Sequence, residues 1–233
     1  MNERKTIPPT HPPMRCLDRT ALDELPSRSR AHFVNALSGI KGLHLMGTRS
    51  AEGHENLAVF NSVVHIGANP AYLGVIFRPL TVRRDSYRNL TETQSFTLNL
   101  VTASMVDAAH ATSAKWAEEE SEFAMTGLSP WYSQDCVAPY VAESPVRVGL
   151  RPVEEQAIHC NNTRLVIGEV TEVWVPEGLP EADGWMRLDT LGIMSVAGLD
   201  AYYRPRLTVR KDYAQPGNQG VQADLLRPQT DRT

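Results

Sequence analysis

Runs with the apolar alternation of β-strands outnumber stretches of helical period along this chain. In the segment from Phe96 to Leu100, Phe96, Leu98 and Leu100 face one way, and Thr97 and Asn99 the other, which is the period-two signature of a strand. Val146 to Leu150 alternates as well, and Leu43 to Met46 reads as one short strand. Leu165 to Val175 is the longest strand-like run, with Glu169, Thr171 and Glu172 turning one side to water. Asn56 to Ile66 is rich in β-branched and aromatic residues, and Ala71 to Phe77 is an apolar run closed by Pro79. The polar turn Arg49 to Glu55 precedes them and the turn signal Gly67 to Pro70 divides them, so together they predict an antiparallel meander.

Helical signals are short. Phe33, Val34 and Leu37 share one face of a helix expected over Ser29 to Leu37. Asp85 is placed to cap a helix running to Thr91. Ser104 is placed to cap another, with Asp107 in its first turn. Ser121 to Thr126 reads as a helical turn ended by Gly127. Residues 1–29 are expected to form a mobile or loosely docked arm, because Pro8, Pro9, Pro12 and Pro13 forbid a regular helix at its start. The tail 214–233 is expected to fray, leaving 30–213 as one domain. Many strands and few short helices, without strict strand–helix alternation, predict a mainly β fold. A Greek-key or related barrel fits better than a doubly wound sheet. No GxGxxG follows a strand and no GxxxxGK[ST] occurs, so a nucleotide-like ligand needs another device to hold it.

Composition narrows the classes. The 233 residues carry 42% hydrophobic and 21% charged side chains, as an ordinary globular domain does. A formal net charge of −4 gives no basic footprint for nucleic acid. No apolar run reaches the length of a membrane span, and Met1 to Pro13 lacks the apolar core of a signal peptide, so a cytoplasmic location is the default expectation. Cys16, Cys136 and Cys160 are odd in number and far apart, and the histidines show no HExxH spacing. Neither a disulfide framework nor a metal site is therefore expected.

Several segments, in order, resemble the flavin reductase-like family of FMN-binding split barrels. Asn56-Leu57-Ala58-Val59-Phe60-Asn61-Ser62 is similar to the family's "NLAPxS" strand, and Arg84 to Leu90 to its "KDTxxNI" turn and helix. Phe96 to Leu100 is similar to "FVVNL". His110-Ala111-Thr112-Ser113-Ala114-Lys115, with Ser121 to Phe123 and Gly127-Leu128 behind it, resembles "NATSA…DEF…GL". Ala138 to Pro145 is close to the "P.V.ESP" stretch. The resemblance spans roughly residues 40–203 and implies a six-stranded split barrel, FMN near a subunit interface, and a homodimer. There are departures. Val59 stands where the family has proline, and the family's "PRP" is missing near Leu43. Ser86 for threonine keeps the hydroxyl, and Arg84 for lysine keeps the charge but changes its geometry.

FMN needs donors and a cation for its phosphate, a flat slot for its ring, and access for a hydride donor. Thr112 and Ser113 offer hydroxyls, the small Ala111 and Ala114 let backbone N–H groups approach an anion, and Lys115 offers charge. An ordinary solvated loop is the alternative for that segment. Arg78 and Arg84 are further phosphate candidates, beside Asp85 and Ser86 at a helix start, with a structural ion pair as the alternative for Arg78 and solvated surface for Arg84. Along the first motif, Asn56, Leu57, Ala58, Val59, Asn61 and Ser62 are the ring candidates: Ala58 leaves room, and Asn61 and Ser62 can bond the polar edge. Asn99 is either a flavin contact or a satisfied core amide. Trp116 either stacks on the ring or anchors its loop. His110 is expected to bind or cap rather than to transfer protons, and Tyr202, Tyr203 and Arg204 to pack rather than to cover the site.

No side chain need be a nucleophile here, and no catalytic residue is named. The resemblance implies an oxidoreductase that takes hydride from NADH or NADPH onto FMN and passes electrons to free flavin, a partner oxygenase or another small-molecule acceptor. A non-enzymatic FMN-binding electron carrier on the same fold is the alternative. Neither nucleic acid nor membrane is expected as a partner.

Overall fold

The computed structural model describes residues 14–117 and 120–211, so the start of the expected arm and the expected tail lie outside the described residues. In chain order the elements begin with helices α1 (Arg19–Asp23) and α2 (Ser27–Ala36) and strands β1 (Lys41–Gly42), β2 (His44–Arg49), β3 (Glu55–Phe60), β4 (Val63–Ala68) and β5 (Ala71–Phe77). Helix α3 (Asp85–Thr93), strand β6 (Phe96–Leu100) and helices α4 (Val106–Ala111) and α5 (Glu122–Thr126) follow. The last strands are β7 (Pro130–Trp131), β8 (Tyr140–Val141), β9 (Arg147–Ile158), β10 (Thr163–Trp174), β11 (Ser195–Ala197) and β12 (Ala201–Tyr203). With 35% strand against 21% helix among the described residues, the fold is mainly β.

The main sheet has seven strands in the order β3-β2-β6-β9-β10-β5-β4, antiparallel throughout. Its two edges, β3 and β4, are successive in the chain, with only Asn61 and Ser62 between them. A flat sheet cannot bring its opposite edges that close, so the sheet curls into a barrel. The continuous strand expected over Asn56 to Ile66 is therefore interrupted. Phe60 pairs with His44 on β2, whereas Ser62 accepts the Ile76 N–H at 3.1 Å and donates its hydroxyl to the Ile76 carbonyl at 2.7 Å. The chain changes partners at this split, from β2 to β5. Counted as one interrupted strand, β3 and β4 give the six-stranded barrel.

Two apolar clusters follow from strand alternation. Met46, Val75, Phe77, Phe96, Leu98, Leu150 and Val166 fill the barrel, and Leu90 of α3 closes one part of that core. Leu45, the neighbour of Met46 on β2, faces the other way into a second cluster with Leu57, Val101, Phe123 and Met194. The polar side of β6 is dry as well. Thr97 donates to the Pro139 carbonyl at 2.7 Å, and the segment before β8 lies flat on β2 and β6. Gly47 permits that approach, since a Cβ there would stand 1.9 Å from the Pro139 oxygen.

At the helix ends, Arg84 and not Asp85 is the N-cap of α3, and it makes no side-chain cap bond. Asp85 lies in the first turn, where Arg83 pairs with it at 2.6 Å and Arg88 at 3.4 Å. Two arginines outcompete the helix N–H groups for its carboxylate. Ser104 sits inside a short 3-10 turn (Ala103–Met105) and does not cap α4. Gly127 ends α5 with φ +73°, as its position suggests. Helix α2 begins at Ser27, two residues before the expected start, and α1 falls within the segment expected to be an arm. Among the described residues no helix is long and apolar enough to cross a membrane.

Candidate functional site

Strand β3 pairs on one side only, so its other edge presents N–H and C=O groups to whatever lies beside the barrel. Both of its faces are occupied, Leu57 and Val59 by the outer cluster and Phe60 by the barrel core. A ligand therefore reaches β3 along its open edge. Ala58 is half-buried and pairs with Met46, so it offers no bare backbone face for a ring.

The start of α3 meets this edge through Asn56. The buried amide donates to the Thr48 hydroxyl at 3.0 Å and to the Ser86 hydroxyl at 2.9 Å. Because Ser86 accepts there, its own O–H is free to donate to a ligand. Arg84 precedes it with Nε buried and without a partner. The first N–H groups of α3 have no side-chain cap either. Free donors, a cation and the positive end of a nine-residue helix thus converge on one place.

Helix α5 closes the other side. Glu122 accepts the Leu57 N–H at 2.9 Å, and the preceding Ser121 hydroxyl is buried with no partner. Burial, first of all, raises the Glu122 carboxyl above the ordinary carboxylate range, against the bonds it accepts, and nearby Asp85 adds to the rise. Of the four buried side-chain polar atoms left unpaired among the described residues, Arg84 Nε and Ser121 Oγ flank this edge. A third, Asn89 Oδ1, belongs to α3. Buried polar atoms are rarely left unpaired without reason, and a ligand is one such reason.

The segment from His110 to Trp116 behaves otherwise. It spans the C-terminus of α4, where carbonyls have no partner from the helix itself and the helix dipole is negative. Its donors turn inward. Thr112 Oγ1 bonds the Ala109 carbonyl at 2.8 Å and Ser113 Oγ the His110 carbonyl at 2.7 Å. The N–H groups of Thr112, Ser113 and Ala114 bond the carbonyls of Ala108, His110 and Ala111. Trp116 Nε1 bonds the Ala111 carbonyl at 3.1 Å, which makes the indole a loop anchor. Lys115 remains exposed. The hydroxyls and N–H groups expected to hold a phosphate thus satisfy a helix end.

The remaining candidates divide. Asn99 is a satisfied core amide: it donates to the Leu45 carbonyl and to Thr97, each at 3.0 Å, and accepts the Val141 N–H at 3.0 Å. Asn61 ties the split to α2 through Asn35 (3.4 Å) and to the Gly198 carbonyl (3.3 Å). Ser62 is held by Ile76 as described, and Arg78 is exposed at the end of β5. His110 meets the Tyr202 hydroxyl at 2.7 Å, in an edge-on ring contact. Sequence reasoning missed Thr48, Ser121 and Glu122 as members of the site. The latter two lie in a segment that matched the family pattern, but nothing local marks a serine left unpaired or a carboxylate bonded to a distant strand.

A family model, "Flavin reductase like domain", matches residues 40–193. The chain belongs to the flavin reductase-like family. An assigned flavin reductase with a split barrel domain from Shewanella frigidimarina is 38% identical, with a TM-score of 0.83 over 86% of this chain and 100% of that one. Nitrilotriacetate monooxygenase component B from Bacillus cereus shares the fold at 21% identity, with a TM-score of 0.74 over 86% of this chain and 100% of that one. An FMN-binding protein from Thermus thermophilus does so at 19% identity, with a TM-score of 0.59 over 71% and 86%. No curated protein sequence matches the chain.

Proposed function

We propose that this flavin reductase-like protein binds FMN along the open edge of β3 and works as an FMN-dependent oxidoreductase supplied by NADH or NADPH. The observation that carries the assignment is the pair of unpartnered polar atoms, Arg84 Nε at the uncapped start of α3 and Ser121 Oγ at the start of α5, on the two helices that pack against β3. Arg84, the Ser86 hydroxyl and the first N–H groups of α3 suit a phosphate, so the phosphate is placed there and not at His110 to Lys115. From Asn56 the edge of β3 continues toward the split at Asn61, and Val59 exposes its backbone groups on the same side as Leu57 by the alternation of the ladder. Those groups suit the polar rim of a flat ring system. Bound FMN supplies the redox chemistry by accepting hydride and releasing electrons. The chain's part is to bind, orient and shield: Asn56 fixes the Ser86 hydroxyl, and α4 and α5 pack against β3.

The acceptor is proposed by class, as free flavin, a partner oxygenase or another small molecule. A homodimer is proposed as well. Phe33, Val34, Leu37 and Ile40 on or next to α2, and Val64 and Ile66 on β4, are exposed on elements that flank the split, which suits burial against a second copy. Anaerobic mixing of the FMN-loaded protein with NADH or NADPH tests the activity. Rapid bleaching of the flavin absorbance is expected. A flavin that stays oxidised overturns the reductase assignment in favour of an FMN-binding electron carrier.

A further inference from the structure

Glu122 stands out because a carboxylate lies beside a cluster otherwise arranged for an anion. It accepts the Leu57 N–H at 2.9 Å, while the side chain of the preceding residue, Asn56, holds the Ser86 hydroxyl of the phosphate cradle. Negative charge and cradle thus share two successive residues of β3. Among the described residues no cation pairs with Glu122, and Arg84 stands at the start of α3 with its Nε unpartnered. From α3 comes Asp85, itself paired with Arg83 and Arg88. On β3 the nearby Glu55 is engaged by the Tyr132 hydroxyl at 2.6 Å. From α4 the contacts in the shared cluster are apolar, Val106, Ala108 and Ala109, with Asp107 exposed and His110 engaged by the Tyr202 hydroxyl.

We propose, resting on the flavin assignment above, that Glu122 senses the charge of the bound ligand: it takes up a proton when FMN binds and sets the preference between phosphorylated and unphosphorylated flavin. The cause is electrostatic. A phosphate carries about −1.5 to −2 charges near neutral pH, and a carboxylate within about a Debye length opposes it unless protonated. A raised carboxyl makes that protonation accessible at mild pH. Riboflavin, which has no phosphate, is indifferent to the charge.

Glu122→Gln tests this while keeping an acceptor for the Leu57 N–H. FMN and riboflavin are titrated into flavin-stripped wild-type and variant protein between about pH 5 and pH 8.5. At the alkaline end the variant is expected to bind FMN about three- to tenfold more tightly than wild type. The two should converge at the acid end, and riboflavin should bind both alike. The phosphate's own titration is common to both proteins and cancels in the comparison. Calorimetry of the wild type in buffers of different ionisation enthalpy adds a measurement that needs no variant, with net proton uptake expected above the phosphate pKa of about 6. Equal FMN affinities at every pH, a weaker variant, or no proton uptake would overturn the role of Glu122 and leave the flavin site standing. Failure of the wild type to bind FMN would overturn the flavin assignment and this role with it.

Discussion

Ser86→Ala separates the structural from the ligand role of the cradle. Ser86 is 7% exposed, and its hydroxyl accepts from Asn56 at 2.9 Å. Removing it leaves one buried amide N–H unpaired, while the other stays on Thr48 at 3.0 Å. A loss of about 1–2 kcal/mol of stability is expected, the lower part of the range for an orphaned buried group, because half of the amide's bonding survives. Binding should change by more. A hydrogen bond to a charged group contributes about 1.5–3 kcal/mol, equivalent to roughly 10- to 150-fold in Kd for FMN. Riboflavin has nothing to offer that hydroxyl, so its Kd should move by less than about threefold, or ~0.6 kcal/mol. Fluorescence titration with both ligands, well below the melting temperature of the variant, reads the ratio directly. Equal weakening of FMN and riboflavin would show that Ser86 only supports β3, and the phosphate would have to lie elsewhere.

Ser113→Ala combined with Lys115→Ala should change the FMN-to-riboflavin affinity ratio by less than about threefold, because the Ser113 donors already serve the end of α4 and Lys115 stands exposed beyond it; a selective loss of FMN would restore the phosphate to that segment. Asn99→Leu should destabilise the fold by about 3 kcal/mol in urea unfolding, since it strands the Leu45 carbonyl, the Val141 N–H and Thr97, and it should leave the flavin ratio unchanged. Burial lowers the His44 imidazole from 6.5 to about 4. A base depressed on folding gives stability that is complete above the unfolded pKa and is lost as pH falls toward the folded one, here about 3 kcal/mol in all. His44→Phe should flatten that limb in pH-dependent unfolding, and an unchanged limb would place the acid sensitivity on other groups.

Strands with clean alternation and turns with glycine or proline were legible. The pattern of Phe96 to Leu100 and the terminator Gly127 describe β6 and the end of α5 as they stand. The break at Asn61-Ser62 was not, because each half of that run satisfies a different partner strand and alternation within the run does not register the change. Polar alternation on β6 does mark a polar side, and there Asn99 and Thr97 bond backbone groups of neighbouring segments. The family resemblance pointed to both Arg84 to Ser86 and His110 to Lys115. They differ in which end of a helix each occupies, α3 beginning at Asp85 and α4 finishing at Ala111, and that difference is not written in the local sequence. Thr48 meets Asn56 through the register of β2 and β3, whereas Ser121 and Glu122 come to this edge through the tertiary fold, Glu122 from 65 residues beyond Leu57.

The most direct measurement is an FMN titration of the purified, flavin-stripped protein, followed by absorbance and flavin fluorescence. Saturable binding is expected at about one FMN per chain, with thermal stability rising as free FMN exceeds its Kd. An absence of saturable binding, with no shift in melting temperature at high FMN, would contradict the account.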